Sequence, residues 1–314
     1  MLTALNIADL PAPFLAEGNP MSHVVNQVAL KAGDWWIWSS NQGTLVLAGL
    51  IAIFVGSWAA NRIRTGDTSA GAEAYVTRNS FAHLIEVMCT YLRDEVARPL
   101  LHDRTDKLMP FLWTVFFFIL INNLLGLIPI GDVLHILHLP PLVGGTPTQN
   151  MWVTAVLAVI AAVVFNGAAI RRLGVGGFVK HMMGGLPLYM LPIALLLLVI
   201  EAAGQFLIKP FALALRLFAN MTAGHVLIAA LLFIAGPAAS KLFQGEAVAG
   251  NGIAMVVGAG AIFALTFLEL FVAFLQAFVF MFLTAIFISL MDHHDEHGHE
   301  HEHDHAHGHE HAHA

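Results

Sequence analysis

Residues 251–291 read NGIAMVVGAGAIFALTFLELFVAFLQAFVFMFLTAIFISLM and contain one ionisable side chain, Glu269. As a continuous α-helix this stretch would be about 60 Å long, roughly twice the hydrocarbon thickness of a bilayer. No turn-forming residues interrupt its second half. The stretch therefore predicts a single long helix over 251–291 that lies steeply tilted in the membrane.

A second overlong apolar stretch precedes it, from Met182 to Ser240. One explanation is two ordinary spans, with Lys209 and Pro210 in the turn between them. The other is one long tilted helix that Pro210 allows to kink, and we favour this explanation for 186–236. The ionisable side chains of the whole stretch are Tyr189, Glu201, Lys209, Arg216 and His225.

The composition is that of a protein that spans a membrane several times. Of the 314 residues, 58% are hydrophobic and only 11% are charged, whereas soluble domains have about a quarter charged residues. The 14 Lys and Arg residues form no basic cluster of the kind that binds nucleic acid. A single cysteine, Cys89, excludes a disulfide framework within the sequence. The sequence predicts an all-α polytopic membrane protein.

Shorter spans and their connectors follow from hydropathy and from the positions of the basic residues. Ten of the 14 basic residues fall in two connectors, 61–107 and 171–185, which the positive-inside rule places in the cytoplasm. The N-terminus is then extracytoplasmic and the C-terminus cytoplasmic. The remaining predicted segments are an N-terminal segment 1–42, transmembrane helices 43–60, 108–130 and 151–170, an extracytoplasmic loop 131–150 and an extracytoplasmic connector 237–250.

Within the first cytoplasmic connector, apolar residues recur at three- and four-residue spacing over about 80–98. This pattern is typical of an amphipathic helix. The helix either lies in the membrane interface or packs on the protein's own loops. Cys89 lies beside the apolar stripe, which favours a structural role for it.

Arg216 is a cation at every physiological pH and lies inside an apolar segment. Such a charge requires an anionic partner, and ionisable residues within spans are functional candidates by default. Glu201 and Glu269 are the candidate partners in this chain, and an internal Arg–Glu ion pair that only fixes two helices is the structural alternative. Asn220, four residues on, shares the helix face of Arg216.

His225 lies about 180° around the same helix from Arg216, whereas Glu269 and Gln276 share one face of the last helix. Imidazole and carboxylate groups inside a membrane can both bind and release protons. A buried histidine can also be purely structural, but the availability of Glu269 in the other long helix favours a proton path through both.

These residues lie in motifs that resemble subunit a of F-type ATP synthases, the stator subunit beside the rotating ring of c subunits. The resemblance extends from about Phe81 to Leu290. The motifs are NNLLGLIP at 122–129, IKPFALALR at 208–216, LALRLFANMTAGHVLI at 213–228 and FLELFVAFLQAFVFMFLTAIF at 267–287.

The resemblance implies a tilted hairpin of two long helices against the c-ring, with two aqueous half-channels. Arg216 matches the arginine that forces deprotonation of the c-subunit carboxylate and blocks leakage. His225 and Glu269 match the channel pair, and Asn220 and Gln276 match polar groove positions. Glu201 matches an access-channel acid by approximate position.

The same resemblance implies a non-enzymatic proton-channel component that binds no cofactor and lies in a bacterial inner membrane. ATP chemistry would take place in other subunits. The implied partners are the c-subunit ring, b-type peripheral stalk subunits, the remaining ATP synthase complex and the lipid bilayer, with no nucleic acid.

The tail 292–314 departs from this pattern, since it combines eleven histidines with seven acids and no Lys or Arg. Without apolar residues larger than Ala it is expected to be disordered. It could chelate Zn²⁺ or Ni²⁺, or it could only buffer pH or add solubility. The candidate weak tail site comprises His293, His294, His297, His299 and His301. The membrane body is expected to hold no metal.

Two other functions are compatible with parts of the sequence. The histidine-rich tail suggests a metal-cation transporter, which would need paired ligands four residues apart within its spans. An intramembrane hydrolase would need an HExxH motif or a Ser–His pair in an apolar context. The body of the chain contains neither pattern, and both alternatives are therefore less favoured than the proton channel.

Overall fold

The computed structural model describes residues 28–32, 35–63, 77, 79–128, 130, 134, 137–138, 142–184, 191–243 and 248–293. Two short strands, β1 (Val28–Ala32) and β2 (Trp35–Ser39), pair antiparallel with Val28 opposite Ser39. The sequence predicts an N-terminal segment at 1–42 and no strand within it. Apart from short connecting segments such as 142–146, the rest of the described chain is helical, which confirms the predicted fold class.

In the described ranges, eight α-helices follow the strands, with π- and 3₁₀-helical turns between some of them. Their bounds differ from the predicted ones by a few residues at most ends. They are α1 (Ser40–Arg62), α2 (Ser80–Tyr91), α3 (Arg98–Leu101), α4 (Thr105–Leu127), α5 (Met151–Met182), α6 (Leu191–Ala203), α7 (Lys209–Phe243) and α8 (Val248–His293). The turns are Leu92–Ala97 (π), His102–Arg104 (3₁₀), Pro147–Gln149 (3₁₀) and Gly204–Ile208 (π).

The prediction of a loop at 171–185 is wrong for 171–182, because α5 continues to Met182. Gly174 has φ 69° and ψ 166°, so the helix is interrupted at one residue and then resumes. Glycine adopts such a positive φ without steric cost. Lys180 and His181 then lie in the last helical turn, where cations are favourable beside unpaired carbonyl groups. The basic residues therefore extend a helix rather than form a loop.

The long stretch before the last helix is helical from Leu191 to Phe243, with a π turn at Gly204–Ile208. Pro210 follows this turn directly. A proline ring clashes with the carbonyl group four residues earlier and has no N–H to donate, and a π turn relieves such a conflict without ending the helix. The helix also continues through 237–243, which the sequence analysis assigned to a connector.

The last helix, α8, has 46 residues and would be about 69 Å long if straight. Within the part of the chain that the structure describes, five helical segments are long and apolar enough to cross a membrane. They are Ser40–Arg62, Ser80–Leu127, Met151–Met182, Leu191–Phe233 and Met255–Leu290. The tail 294–314, including most of the candidate tail metal site, lies outside the described residues.

Large apolar side chains are exposed along these helices. The exposed fraction is 72% for Phe54, 82% for Trp152 and 76% for Phe263. Exposed apolar surface on this scale is unfavourable in water and normal against lipid. The bilayer is therefore the solvent of this fold.

The chain forms two compact units. Unit 1 comprises 1–51, 119–150 and 217–276, and unit 2 comprises 52–118, 151–216 and 277–314. In unit 1, the side chain of Asn123 in α4 donates to the carbonyl of Ala273 in α8 over 3.3 Å. The hydroxyl of Thr148 in turn donates to the Asn123 amide oxygen over 2.9 Å. These buried bonds fix one end of α4 against the middle of α8.

In unit 2, the packing is mainly aromatic and aliphatic. The rings of Phe165 in α5 and Phe287 in α8 lie 5.6 Å apart in an edge-on arrangement. The indole N–H of Trp113 donates to the carbonyl of Cys89, and the guanidinium of Arg104 donates to the carbonyl of Ala168. The Trp113 bond thus joins α4 to α2, and the Arg104 bond joins the segment before α4 to α5.

Candidate functional site

The sequence-predicted residues are distributed over three helices. Glu201 lies on α6 and Arg216 on α7, both in unit 2. Unit 1 contains the other four, Asn220 and His225 on α7 and Glu269 and Gln276 on α8. Within unit 1 the structure brings these four together as two pairs.

The first pair is His225 and Glu269. Nδ1 of His225 lies 2.6 Å from Oε1 of Glu269, and the exposed side-chain fractions are 20% and 4%. α7 and α8 come close here because Gly224, next to the histidine, has no side chain. A Cβ added at Gly224 would lie 2.9 Å from Oε1 of Glu269. The small residue thus provides the space that the carboxylate occupies.

The imidazole of His225 is held on its other side by residues that the sequence analysis did not identify. Nε2 lies 3.0 Å from the hydroxyl oxygen of Thr146 and 3.2 Å from the carbonyl oxygen of Gly126. Nδ1 also lies 3.0 Å from the carbonyl oxygen of Met221. Both ring nitrogens therefore have partners, which fixes the orientation of the ring.

The two carboxylate oxygens of Glu269 have different surroundings. Oε1 lies 2.6 Å from Nδ1 of His225, but neither Oε1 nor Oε2 has a well-aligned hydrogen-bond donor among the described residues. A buried carboxylate oxygen without a donor is costly. A water molecule or a proton at Oε2 would remove this cost. Oε2 is thus the atom through which Glu269 can exchange a proton with a group other than His225.

The segment that carries Thr146 is anchored at several points of unit 1. The hydroxyl of Thr44 in α1 accepts from the N–H of Gly144 over 2.9 Å. The indole N–H of Trp38 donates to the carbonyl of Leu142 over 3.0 Å. Gly145 has φ 70°, a conformation that favours glycine. The loop 142–150 is therefore a fixed part of the site rather than a bare connection.

The second pair is Asn220 and Gln276. The amide of Asn220 donates to the amide oxygen of Gln276 over 2.7 Å. Asn220 is exposed, whereas Gln276 is 3% exposed. This bond joins α7 to α8 and places a polar group at the surface of an apolar helix.

Arg216 is exposed on α7. The large apolar side chains of Leu207, Phe211 and Leu215 in unit 2 are also 68%, 52% and 41% exposed, but helical spacing places them on other sides of the helix from Arg216. Arg216 forms no ion pair or hydrogen bond with the part of the chain that the structure describes. The internal Arg–Glu ion pair is therefore not formed there, and Glu269 contacts His225 instead.

Glu201 is half-buried and forms no hydrogen bond or ion pair with a described residue. The ammonium of Lys209, one helical segment later, hydrogen-bonds the buried amide of Gln205 and lies 5.4 Å from the centre of the Phe287 ring. The structure thus does not bring Glu201 into contact with Arg216. Across the described ranges, no group of three or more His, Cys, Asp or Glu side chains could hold a metal ion.

Comparison with known proteins assigns the chain to a family. Residues 43–289 match the family described as ATP synthase A chain. The chain belongs to this family. The match includes both long helices, the loop 142–150 and all six sequence-predicted residues of the membrane body, from Glu201 to Gln276.

Several bacterial relatives named ATP synthase subunit a are similar to the chain. That of Anaeromyxobacter dehalogenans strain 2CP-1 is 40% identical over 219 residues, 69% of this chain and 50% of the relative. That of Chloroherpeton thalassium is 39% identical and covers 69% of this chain and 57% of the relative. That of Myxococcus xanthus is 38% identical and covers 71% of this chain and 66% of the relative. The chain thus matches between half and two thirds of the length of these relatives.

Thr146, Gly126 and Gly224 are the site residues that sequence reasoning missed. Gly126 and Gly224 lie inside the quoted motifs, but a glycine in a helix gives no signal of the side chain that it faces. Thr146 lies in GGTPTQN at 144–150, which reads as turn chemistry. A buried threonine cannot be distinguished from a turn threonine by sequence pattern alone.

Proposed function

We propose that the chain is the proton-translocating subunit a of a rotary ATP synthase. It loads protons onto a ring of c subunits from one side of the membrane and releases them to the other. The chain itself carries out no ATP chemistry. The observation that carries the proposal is the contact of His225 with the buried Glu269 inside an apolar pair of helices.

His225 and Glu269 supply the chemistry of proton transfer. A proton can move between Nδ1 and Oε1 because the two atoms lie only 2.6 Å apart. The contact is compatible with three protonation states of the pair: neutral imidazole with carboxylate, imidazolium with carboxylate, and neutral imidazole with carboxylic acid. The pair therefore binds an incoming proton without separating. Glu269 passes it on through Oε2, its other oxygen.

Arg216 provides the charge that unloads the ring. An exposed guanidinium in an apolar surface is costly unless an anion from another molecule meets it. A carboxylate on a passing c subunit would be such an anion, and the cation would favour its ionised form. The same positive charge opposes a proton that moves straight across the membrane. Asn220 and Gln276 line the polar groove beside this exchange.

The exposure of Arg216 supports a partner at its face of α7. In an apolar 18-residue stretch of the Leu191–Phe233 span only 11% of the residues are buried within the chain, against 44% in the corresponding stretch of Met255–Leu290. A helix that exposes both an arginine and apolar side chains suits a protein partner better than lipid alone. We assign this face to the c-ring and the cytoplasmic side to b-type stalk subunits. The membrane is a bacterial inner membrane, with the N-terminus outside and the C-terminus in the cytoplasm.

The test is ATP-driven proton pumping in inverted membrane vesicles that contain the complete complex. Arg216→Ala is expected to abolish vesicle acidification while the complex remains assembled. Arg171→Ala is the matched control, because Arg171 is also exposed and makes no contact with a described residue. This control is expected to pump normally. Normal pumping by the assembled Arg216→Ala complex would refute the proposal.

A further inference from the structure

His225 contacts four groups among the described residues, three through hydrogen bonds and Glu269 at ion-pair distance, and the four are not equivalent. The carbonyl oxygens of Met221 and Gly126 and the ionised carboxylate of Glu269 can only accept. The hydroxyl of Thr146 can accept or donate. Thr146 is therefore the one described partner that can serve a ring nitrogen without a proton.

This difference matters because His225 must lose and regain a proton if it takes part in proton conduction. With Nδ1–H donated to Glu269, the neutral ring leaves Nε2 as an acceptor that needs a donor. Thr146 supplies that donor at 3.0 Å. When a proton binds at Nε2, the imidazolium can donate instead to Thr146 or to the Gly126 carbonyl oxygen at 3.2 Å. One hydroxyl thus matches both protonation states with the ring in place.

The threonine is held firmly enough to do this. Its side chain is 1% exposed, and a Cβ added at Gly126 would overlap it. The loop before it is tied to α1 by the bond between Gly144 and Thr44. Glu269 is the titratable group in contact with His225 among the described residues, since α4 and the loop contribute only the Gly126 carbonyl and the Thr146 hydroxyl.

We propose that Thr146 is a positioning residue for proton uptake, which holds the His225 ring towards Glu269 and satisfies Nε2 whether or not it carries a proton. This inference rests on the proposed function. It adds a residue from an extramembrane loop to the proton path.

The experiment measures ATP synthesis by proteoliposomes with the complete complex, as a function of the pH on the proton-uptake side. The membrane potential and the pH of the other side are held constant. Thr146→Val keeps the shape and removes the hydroxyl, so the neutral ring loses its donor while the imidazolium keeps Gly126. We expect the maximal rate to fall roughly tenfold and the pH of half-maximal rate to rise by about one unit.

Thr146→Ser keeps the hydroxyl and should restore both the rate and the pH profile. Thr44→Val is the matched control, because it removes another buried hydroxyl that anchors the same loop without contacting His225. A purely structural effect would lower the rate without shifting the pH of half-maximal rate. Thr44→Val is expected to have at most this effect. If Thr146→Val prevents assembly of the complex, Thr146→Ala is used instead, and the same fall in rate and the same shift in the pH of half-maximal rate are expected.

An unshifted profile for the hydroxyl-free variant, or a serine variant that behaves like valine, would overturn the inference. The Arg216→Ala complex is assayed in parallel to separate this failure from that of the proposed function. If Arg216→Ala is inactive and the Thr146 profile is unshifted, only the role of Thr146 is refuted. If Arg216→Ala is active, the function itself is refuted.

Discussion

Glu269 is 4% exposed, and its contact with His225 is the main compensation for burying a carboxylate. A buried charge is tolerated when it is paired and hydrogen-bonded, and removing one partner leaves the other uncompensated. Oε2 has no partner among the described residues, so the compensation is incomplete. A structural ion pair would be expected to satisfy both oxygens. The open oxygen instead fits a group that exchanges protons.

Glu269→Gln tests this at the residue scale. Glutamine keeps the shape and can still hydrogen-bond His225, but it cannot take up a proton. Passive proton flux through the membrane sector, measured in vesicles stripped of the catalytic sector, is expected to fall on the order of tenfold or more. Glu95→Gln is the matched control, because Glu95 is exposed and contacts no described residue. Equal flux in the two variants would contradict a role for Glu269 in conduction.

At the scale of elements, the site depends on how closely α7 approaches α8. Gly224 is the closest point beside the pair, since its missing side chain leaves room for the carboxylate of Glu269. Gly236 lies on the same helix, but an added Cβ there would meet nothing within 4 Å. Alanine substitutions at the two glycines therefore distinguish an effect on helix propensity from an effect on the space beside Glu269.

Gly224→Ala is expected to lower proton flux roughly tenfold, because the added methyl group displaces Oε1 from His225 and small displacements of reacting groups are costly. Gly236→Ala should leave flux unchanged. Both changes favour the helix by about 1 kcal/mol, so a shared effect would indicate helix stability rather than geometry. Vesicle flux measured beside the amount of assembled complex distinguishes the two. Wild-type flux in Gly224→Ala would show that the approach at this glycine is not critical.

The sequence predicts much of this element-level organisation. Hydropathy and length indicate the long helices, and helical spacing places Glu269 and Gln276 on one face of α8. Spacing cannot give the rotation of α7 against α8, so the contact of Glu269 with His225 required the structure. The extent of α5 was underestimated because its basic residues were interpreted as a loop. The hairpin of β1 and β2 was not predicted, because the sequence before the first span was interpreted only as an N-terminal segment.

At the scale of the whole molecule, the exposed surface indicates which faces meet lipid and which meets protein. Most exposed apolar side chains need only the bilayer. The face of α7 that includes Ala212 and Arg216 differs because it carries a charge that lipid tails cannot neutralise. A second polypeptide with an acidic group is the partner that fits this face.

Cysteine cross-linking tests the assignment of that face. Cys89→Ala first removes the chain's one cysteine, and Ala212→Cys then introduces a thiol about one helical turn before Arg216 that is expected to cross-link to a ring subunit. Val163→Cys on α5 is the matched control, because Val163 and Ala212 are both exposed. If exposure alone governed the reaction, both would cross-link equally. If the face of Arg216 meets the ring, as proposed, only Ala212→Cys should give a product of the chain with a ring subunit, detected by immunoblotting. A ring product from Val163→Cys alone would place the rotor on a different face.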